Sequence, residues 1–240
     1  MTGASKGIGR AIALAFGEAG ANVVATARTA SEIEDVADSV RGFGSQALAV
    51  VADMGVEADI ESMARTAENE FGGVDILVNN AAANPFFGHI LDTPVDAFDK
   101  TVDVNLRGYF YMSVEGAKLM REHGGGAIVN TASVNGLTPG DMQGIYSISK
   151  AAVISMTKSF AQECAQFNVR VNALLPGLTK TKFAGALFTN EDIYDSAISQ
   201  IPMRRHADPK EMAGTVLYLV SDASSYVTGE CVVVDGGMTI

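Results

Sequence analysis

Tyr146 and Lys150 stand one helical turn apart, which puts a phenol and an ammonium on the same face of a helix. A free tyrosine has a pKa of about 10, too high for general base work at neutral pH. A lysine cation beside it favours the phenolate and lowers that value, which brings general base work within reach. The spacing recurs by chance, and alone it would describe a surface pair. Ser133 adds a hydroxyl just beyond the apolar run Ala127–Thr131, at what should be the carboxyl edge of a strand. Asn105 adds a polar residue among Val104, Leu106 and Phe110, where an amide either braces the helix or serves the site.

A second group of residues suits a phosphate. Gly3-Ala-Ser-Lys-Gly7-Ile-Gly9 runs directly into the apolar segment Arg10-Ala-Ile-Ala-Leu-Ala. Glycines let a backbone turn tightly against a pyrophosphate, and the helix start offers free N–H groups at the positive end of its dipole. Gly3, Ser5, Lys6, Gly7, Ile8 and Gly9 are the candidate cofactor contacts of this loop. The next strand ends in Ala27-Arg28-Thr29, and the first acid comes only at Glu32. A carboxylate at that strand tip would accept ribose hydroxyls and select NAD(H). Arg28, helped by Lys6, would instead hold a 2′-phosphate, so NADP(H) is expected over NAD(H).

These groups need a scaffold with strand ends and helix starts on one edge. Apolar runs at Asn22–Ala27, Gln46–Val50, Asp75–Asn79, Ala127–Thr131, Arg170–Leu175 and Cys231–Val234 read as strands buried on both faces. Between them the pattern predicts helices over Ile8–Ala19, Ala30–Phe43, Ala58–Phe71, Val95–Glu122, Ile145–Phe167 and Pro209–Val220. Alternation with short links predicts an α/β fold, one domain over residues 1–240 built on a doubly wound parallel sheet. Pro176–Asp208 breaks the rhythm and is expected to form a substrate-covering lobe with Phe183, Leu187, Phe188 and Ile193.

Composition narrows the partners. The chain has 48% hydrophobic and 19% charged residues and a formal net charge of −11, which argues against a nucleic-acid or anionic-membrane surface. No apolar run is long enough to span a bilayer and no signal peptide is read at Met1-Thr2-Gly3-Ala4. Cys164 and Cys231 read as incidental thiols of a cytoplasmic protein. His89, His123 and His206 are isolated, so no metal site is expected.

Thr2-Gly3-x₃-Gly7-x-Gly9, Asp53, Asn79-Asn80-Ala81, Asn105, Ser133, Tyr146-x₃-Lys150 and Pro176-Gly177 follow one another in an order and spacing that resembles the short-chain dehydrogenases/reductases. The resemblance covers essentially the whole chain, through Asp235-Gly236-Gly237, and the motif set is highly specific. It implies a Rossmann-like fold and an oxidoreductase that moves a hydride between NADP(H) and a carbonyl/alcohol pair. It also implies that Tyr146 transfers the proton, Ser133 bonds the substrate oxygen, Lys150 lowers the tyrosine pKa and holds the nicotinamide ribose, and Asn105 holds a water leading from Lys150. Asp53 would meet the adenine, Asn79 and Ala81 the adenosine side, and Pro176, Gly177, Thr179 and Thr181 the nicotinamide side. The segment Asn79–Gly88 further resembles the carbonyl-reductase/retinal-reductase branch. Ala82 departs from the family's usual glycine, a small change.

Val134, Asn135, Gln143, Leu178, Phe183 and Leu187 are expected to line a mostly apolar substrate pocket, suited to a hydrophobic ketone or aldehyde. Reduction of a 3-oxoacyl thioester, and a catalytically silent dinucleotide-binding role, are the alternatives. An apolar strand precedes Thr-Gly in this family, and here Met1 occupies its last position. The first central strand is thus expected to be missing, with the natural chain starting about ten residues earlier, enough for such a strand. Surplus apolar residues on Val95–Glu122 and Ile145–Phe167, among them Tyr109, Met112, Ala151 and Met156, predict a homodimer or homotetramer through these helices.

Overall fold

Each apolar run becomes a parallel strand in the computed structural model, which describes residues 1–181 and 191–240 and, of residues 191–193, the backbone only. The strands are β1 (Val23–Ala27), β2 (Ala47–Val51), β3 (Ile76–Asn79), β4 (Gly126–Thr131), β5 (Val169–Pro176) and β6 (Cys231–Val234). Helices α1 (Gly7–Glu18), α2 (Ala30–Arg41), α3 (Glu57–Phe71), α4 (Val95–Val102), α5 (Tyr109–Glu122), α6 (Gly144–Cys164), α7 (Glu191–Ser199) and α8 (Lys210–Val220) alternate with them.

Strand alternation sorts the side chains onto two faces. Val78, Val129 and Leu174 point to one side, where they pack with Ile12 and Phe16 of α1, Val36 and Val40 of α2, and Met212 and Val216 of α8. Leu77, Ile128 and Val171 point to the other, against Ile60 and Met63 of α3 and Met112 and Met120 of α5. Tyr109, Val153 and Met156 complete that second face. Tyr109, Met112 and Met156 are therefore interior residues of one protomer, not the partner-facing surplus expected of them. Ala151 alone of that group is exposed.

The sheet has two parts, β1-β2 and β3-β4-β5-β6. β1 and β3 do not pair with each other. Between their carboxyl ends lies only Met1–Ala4, with Thr2 N–H donating to Val78 O at 3.0 Å, Thr26 N–H to Met1 O at 3.0 Å and Ala4 N–H to Thr26 O at 3.0 Å. Deeper in the slot the Met1 amino group donates to Val24 O at 2.9 Å, and burial pushes its pKa down to about 5. The slot expected for a first strand is thus filled at its functional end by four residues.

Two helices differ from expectation. Val95–Glu122 is interrupted by a π-helical stretch, Asp103–Gly108, and α6 ends at Cys164 with a 3₁₀ turn over Ala165–Phe167. The excursion after β5 contains α7, and its base is closed by a parallel bridge between Thr179 and Ala207. Phe183, Leu187 and Phe188, and the side chain of Ile193, lie outside the described residues. The architecture is the single-domain, Rossmann-like α/β fold.

Candidate active site

β4 and the first two turns of α6 bring the proton-handling residues together. Ser133 caps the 3₁₀ turn Val134–Gly136, its Oγ accepting the Asn135 N–H at 3.1 Å. Tyr146 and Lys150 extend from α6 toward the end of β4. The Lys150 Nζ donates to Thr131 O at 2.7 Å and lies 5.6 Å from the Tyr146 ring centroid. Tyr109 closes the rear, its ring 5.2 Å from the same Nζ and its hydroxyl donating to Thr131 O at 3.3 Å. All three functional side chains are enclosed: Ser133 and Tyr146 are 8% exposed and Lys150 1%.

Burial dominates their electrostatics. It pushes the Tyr146 phenol up to about 12, against the opposing effect of a side-chain hydrogen bond with Ser133. Burial also pushes the Lys150 ammonium down to about 7. Burial of the phenol thus acts against the lowering expected of the lysine. The physical reason is that a dry site penalises both charged forms, and a lysine that sheds its proton near neutrality offers little field to the phenol.

Asn105 stands behind this group in the π-helical stretch, fully buried. Its Oδ1 accepts the Ala83 N–H at 2.7 Å, and its Nδ2 donates to Ala83 O at 2.9 Å and to Ser149 Oγ at 3.0 Å. Both amide hydrogens are used, so any water held by this side chain would bond to the remaining Oδ1 lone pair. Asn105 does not line the cleft; it ties the α4–α5 helix to the loop after β3.

One cleft of about 1280 Å³ runs from Tyr146 and Ser133 to the glycine loop and the tip of β1. That exceeds the ~300–1,000 Å³ of a drug-sized pocket, which leaves room for a long ligand beside a small one. Gly3, Ser5, Lys6, Gly7, Ile8, Gly9, Arg28, Asp53, Ala81, Pro176, Gly177, Thr179 and Thr181 all line it. The loop has the geometry of a phosphate cradle. Gly3 has φ +64° and a Cβ there would sit 2.7 Å from Ala81 Cα; one on Gly9 would sit 2.1 Å from Gly3 O. Lys6, at the N-cap of α1, makes no side-chain cap bond, leaving the first amides for a ligand. These features fit a dinucleotide pyrophosphate.

One expected cofactor contact is turned away from the cleft. Asn79 is turned inward and fully buried, its Nδ2 donating to Ser113 Oγ and to Asn130 Oδ1, both at 2.9 Å. Its neighbour Asn80 faces the cleft instead, and its Nδ2 holds Thr2 O and Gly3 O at 3.2 Å each. Consecutive strand residues point to opposite faces, so only one of the pair can face the ligand. Lys6 is ion-paired with Glu32. Asp53 lines the cleft. Burial raises its carboxyl pKa, but the Gly55 N–H, Lys100 and Arg28 together outweigh that and hold it below its ordinary value.

The sequence reading missed Thr131, Tyr109, Asn80 and Glu32. Asn84, Asp141 and Met142 were also missed; they line the substrate end with Val134, Asn135, Gln143 and Leu178. Asn84 donates to Gln143 Oε1 at 3.4 Å while its own Oδ1 is buried without a partner.

A family model described as Enoyl-(Acyl carrier protein) reductase matches residues 3–239. Dehydrogenase/reductase SDR family member 4 of Oryctolagus cuniculus is 38% identical over 237 residues, covering 99% of this chain and 91% of that protein. The crystal structure of a short-chain type dehydrogenase/reductase from Mycobacterium marinum superposes with a TM-score of 0.94 at 38% identity, covering 100% of this chain and 94% of that one. The crystal structure of L-sorbose reductase from Gluconobacter frateurii, complexed with NADPH and L-sorbose, has a TM-score of 0.93 at 31% identity, covering 99% of this chain and 94% of that one.

Proposed function

Because the chain belongs to the short-chain dehydrogenase/reductase family and is an oxidoreductase of that family, we propose that it reduces a carbonyl compound, or oxidises the matching alcohol, with NADP(H) preferred over NAD(H). The observation that carries this reading is the continuity of the cleft: the glycine cradle at one end and the hydrogen-bonded Ser133–Tyr146 pair at the other belong to one cavity. A nicotinamide bound there supplies or takes up the hydride.

The side chains supply the rest. Ser133 donates a hydrogen bond to the substrate oxygen and fixes it beside Tyr146. In reduction the Tyr146 phenol gives its proton to that oxygen as the carbonyl becomes an alcohol; in oxidation it takes the proton back. Lys150, held by Thr131 O, positions the tyrosine and reaches toward the nicotinamide ribose. Support for NADP(H) comes from Arg28 at the strand tip, with Lys6 in the loop beside it and no acid at the tip itself.

Phe87, Val134, Met142 and Leu178 give the substrate end an apolar flank, which suits a hydrophobic ketone or aldehyde. The unpartnered Asn84 Oδ1 favours a second reading, a carbonyl compound that also carries a hydroxyl donor. Exposed Phe98, Phe110, Tyr111 and Ile148 support assembly through α4, α5 and α6 with a second copy. The incidental thiols suit the cytoplasm.

The test is a panel of plain ketones, aldehydes, hydroxyketones and 3-oxoacyl thioesters with both cofactors, in both directions. Turnover of plain or hydroxylated carbonyls is expected. A chain that binds dinucleotide and turns over none of them would be a silent binder, and turnover of thioesters alone would replace the substrate reading.

A further inference from the structure

Charges alternate at the adenosine end of the cleft. Lys6, Arg28 and Lys100 line it together with Glu32 and Asp53. Lys100 is 3.1 Å from Asp53 Oδ2, and Lys6 is paired with Glu32 from the first turn of α2. Arg28 forms no ion pair among the described residues. Of the two cations that suit a 2′-phosphate, one is thus already neutralised by an acid facing the same space.

We propose that Glu32 is a residue that sets cofactor choice: its pairing with Lys6 opposes a 2′-phosphate, and its carboxylate accepts ribose hydroxyl hydrogens when that phosphate is absent. This rests on the reading of the cleft as a nicotinamide-dinucleotide site. A phosphomonoester carries a charge of about −1.5 to −2. To receive it, Lys6 leaves Glu32, and the freed carboxylate then faces the phosphate at close range. An unphosphorylated ribose needs no such exchange and gains an acceptor. The protein is therefore a dual-cofactor enzyme in which Arg28 pulls toward NADP(H) and Glu32 holds that preference down. An acid in the first turn of α2 also favours the helix dipole, but that role acts on stability and leaves the ratio of the two affinities alone.

Titration by nicotinamide fluorescence tests this without turnover, using NADPH and NADH on the wild-type protein and on Glu32→Gln, Glu32→Asp and Lys6→Met. Glu32→Gln is expected to tighten NADPH and weaken NADH, moving the affinity ratio by about tenfold, the product of two effects each the size of an exposed ion pair. Displacement by 2′-AMP should strengthen in the same variant, and displacement by 5′-AMP should not. Glu32→Asp should keep a ratio nearer the wild type, and Lys6→Met should move it toward NADH, an arm that stands even if Glu32→Gln folds poorly. A ratio shifted less than twofold in both Glu32→Gln and Lys6→Met, or affinities that fall together by one factor, would overturn the proposal while leaving the oxidoreductase reading intact. Wild-type protein that binds neither dinucleotide would overturn both.

Discussion

At the scale of single residues, the proposed chemistry rests on one hydroxyl and one amine, both buried. Tyr146→Phe removes the proton-carrying hydroxyl and leaves the ring that packs near Lys150. Turnover should fall by at least about 10²-fold, the lower bound of general acid–base contributions, while NADPH affinity measured by fluorescence changes little. The raised phenol makes the protonated, reductive form the resting one through the neutral range. Lys150 gives a separate, thermodynamic test. Unfolded, it binds a proton up to its ordinary 10.5, and in the fold only up to about 7. Between those values the unfolded chain holds more protons, so stability rises with pH across the window and the contribution is lost as pH falls toward 7. The Met1 amino group acts in the same sense only between about 5 and 8. Urea melts at pH 8 and pH 10 should therefore show wild-type protein gaining on Lys150→Met; parallel behaviour would mean that the amine is not desolvated. The residue types and spacing of Ser133, Tyr146 and Lys150 were legible because catalysis needs them at fixed helical and strand-end positions. The inward turn of Asn79 and the Lys6–Glu32 pair were not, since side-chain direction and pairing across elements depend on register.

Among the elements, strands were the most legible. β5 is buried along almost its whole length, so its sequence is a continuous apolar run with sharp ends. The π-helical stretch was invisible for the opposite reason: a shift of backbone hydrogen bonds leaves the composition of Asp103–Gly108 that of an ordinary helix. Its effect is to present Asn105 to both Ala83 and Ser149. Asn105→Ala would leave the Ala83 N–H and C=O without their side-chain partner, while Ser149 Oγ would lose one donor and keep its bond to Tyr146 O. At ~1–3 kcal/mol for each buried group left unsatisfied, a loss of about 2–4 kcal/mol is expected in urea denaturation, with some groups rescued by water. A loss below about 0.5 kcal/mol would show that the amide is not what ties helix to loop. α7 went unread because the excursion around it mixes polar and apolar residues without a clear helical period.

The whole molecule is a sheet in two parts joined by Met1–Ala4. On α4, α5 and α6 the helical layer is unfinished. Its large apolar side chains remain in water after the core is complete: Phe98 is 48% exposed, Phe110 45%, Tyr111 41% and Ile148 58%. Phe110 is already held by edge-to-face contacts with Tyr111 and Phe160, at 5.6 and 5.4 Å, so the patch is ordered before any partner arrives and loses little freedom on docking. Exposed apolar residues on α4, α5 and α6 would be covered most simply by the same helices of a second copy, an arrangement that a two-fold axis makes self-complementary. Sedimentation at micromolar concentration is expected to give a dimer or tetramer of the 25.0 kDa chain. Ile148→Glu places a charge on these helices in each protomer, and burying it without a partner charge would oppose assembly. That variant should sediment as a monomer that still binds NADPH; a wild-type monomer, or an Ile148→Glu assembly as tight as wild type, would rule this face out as the interface.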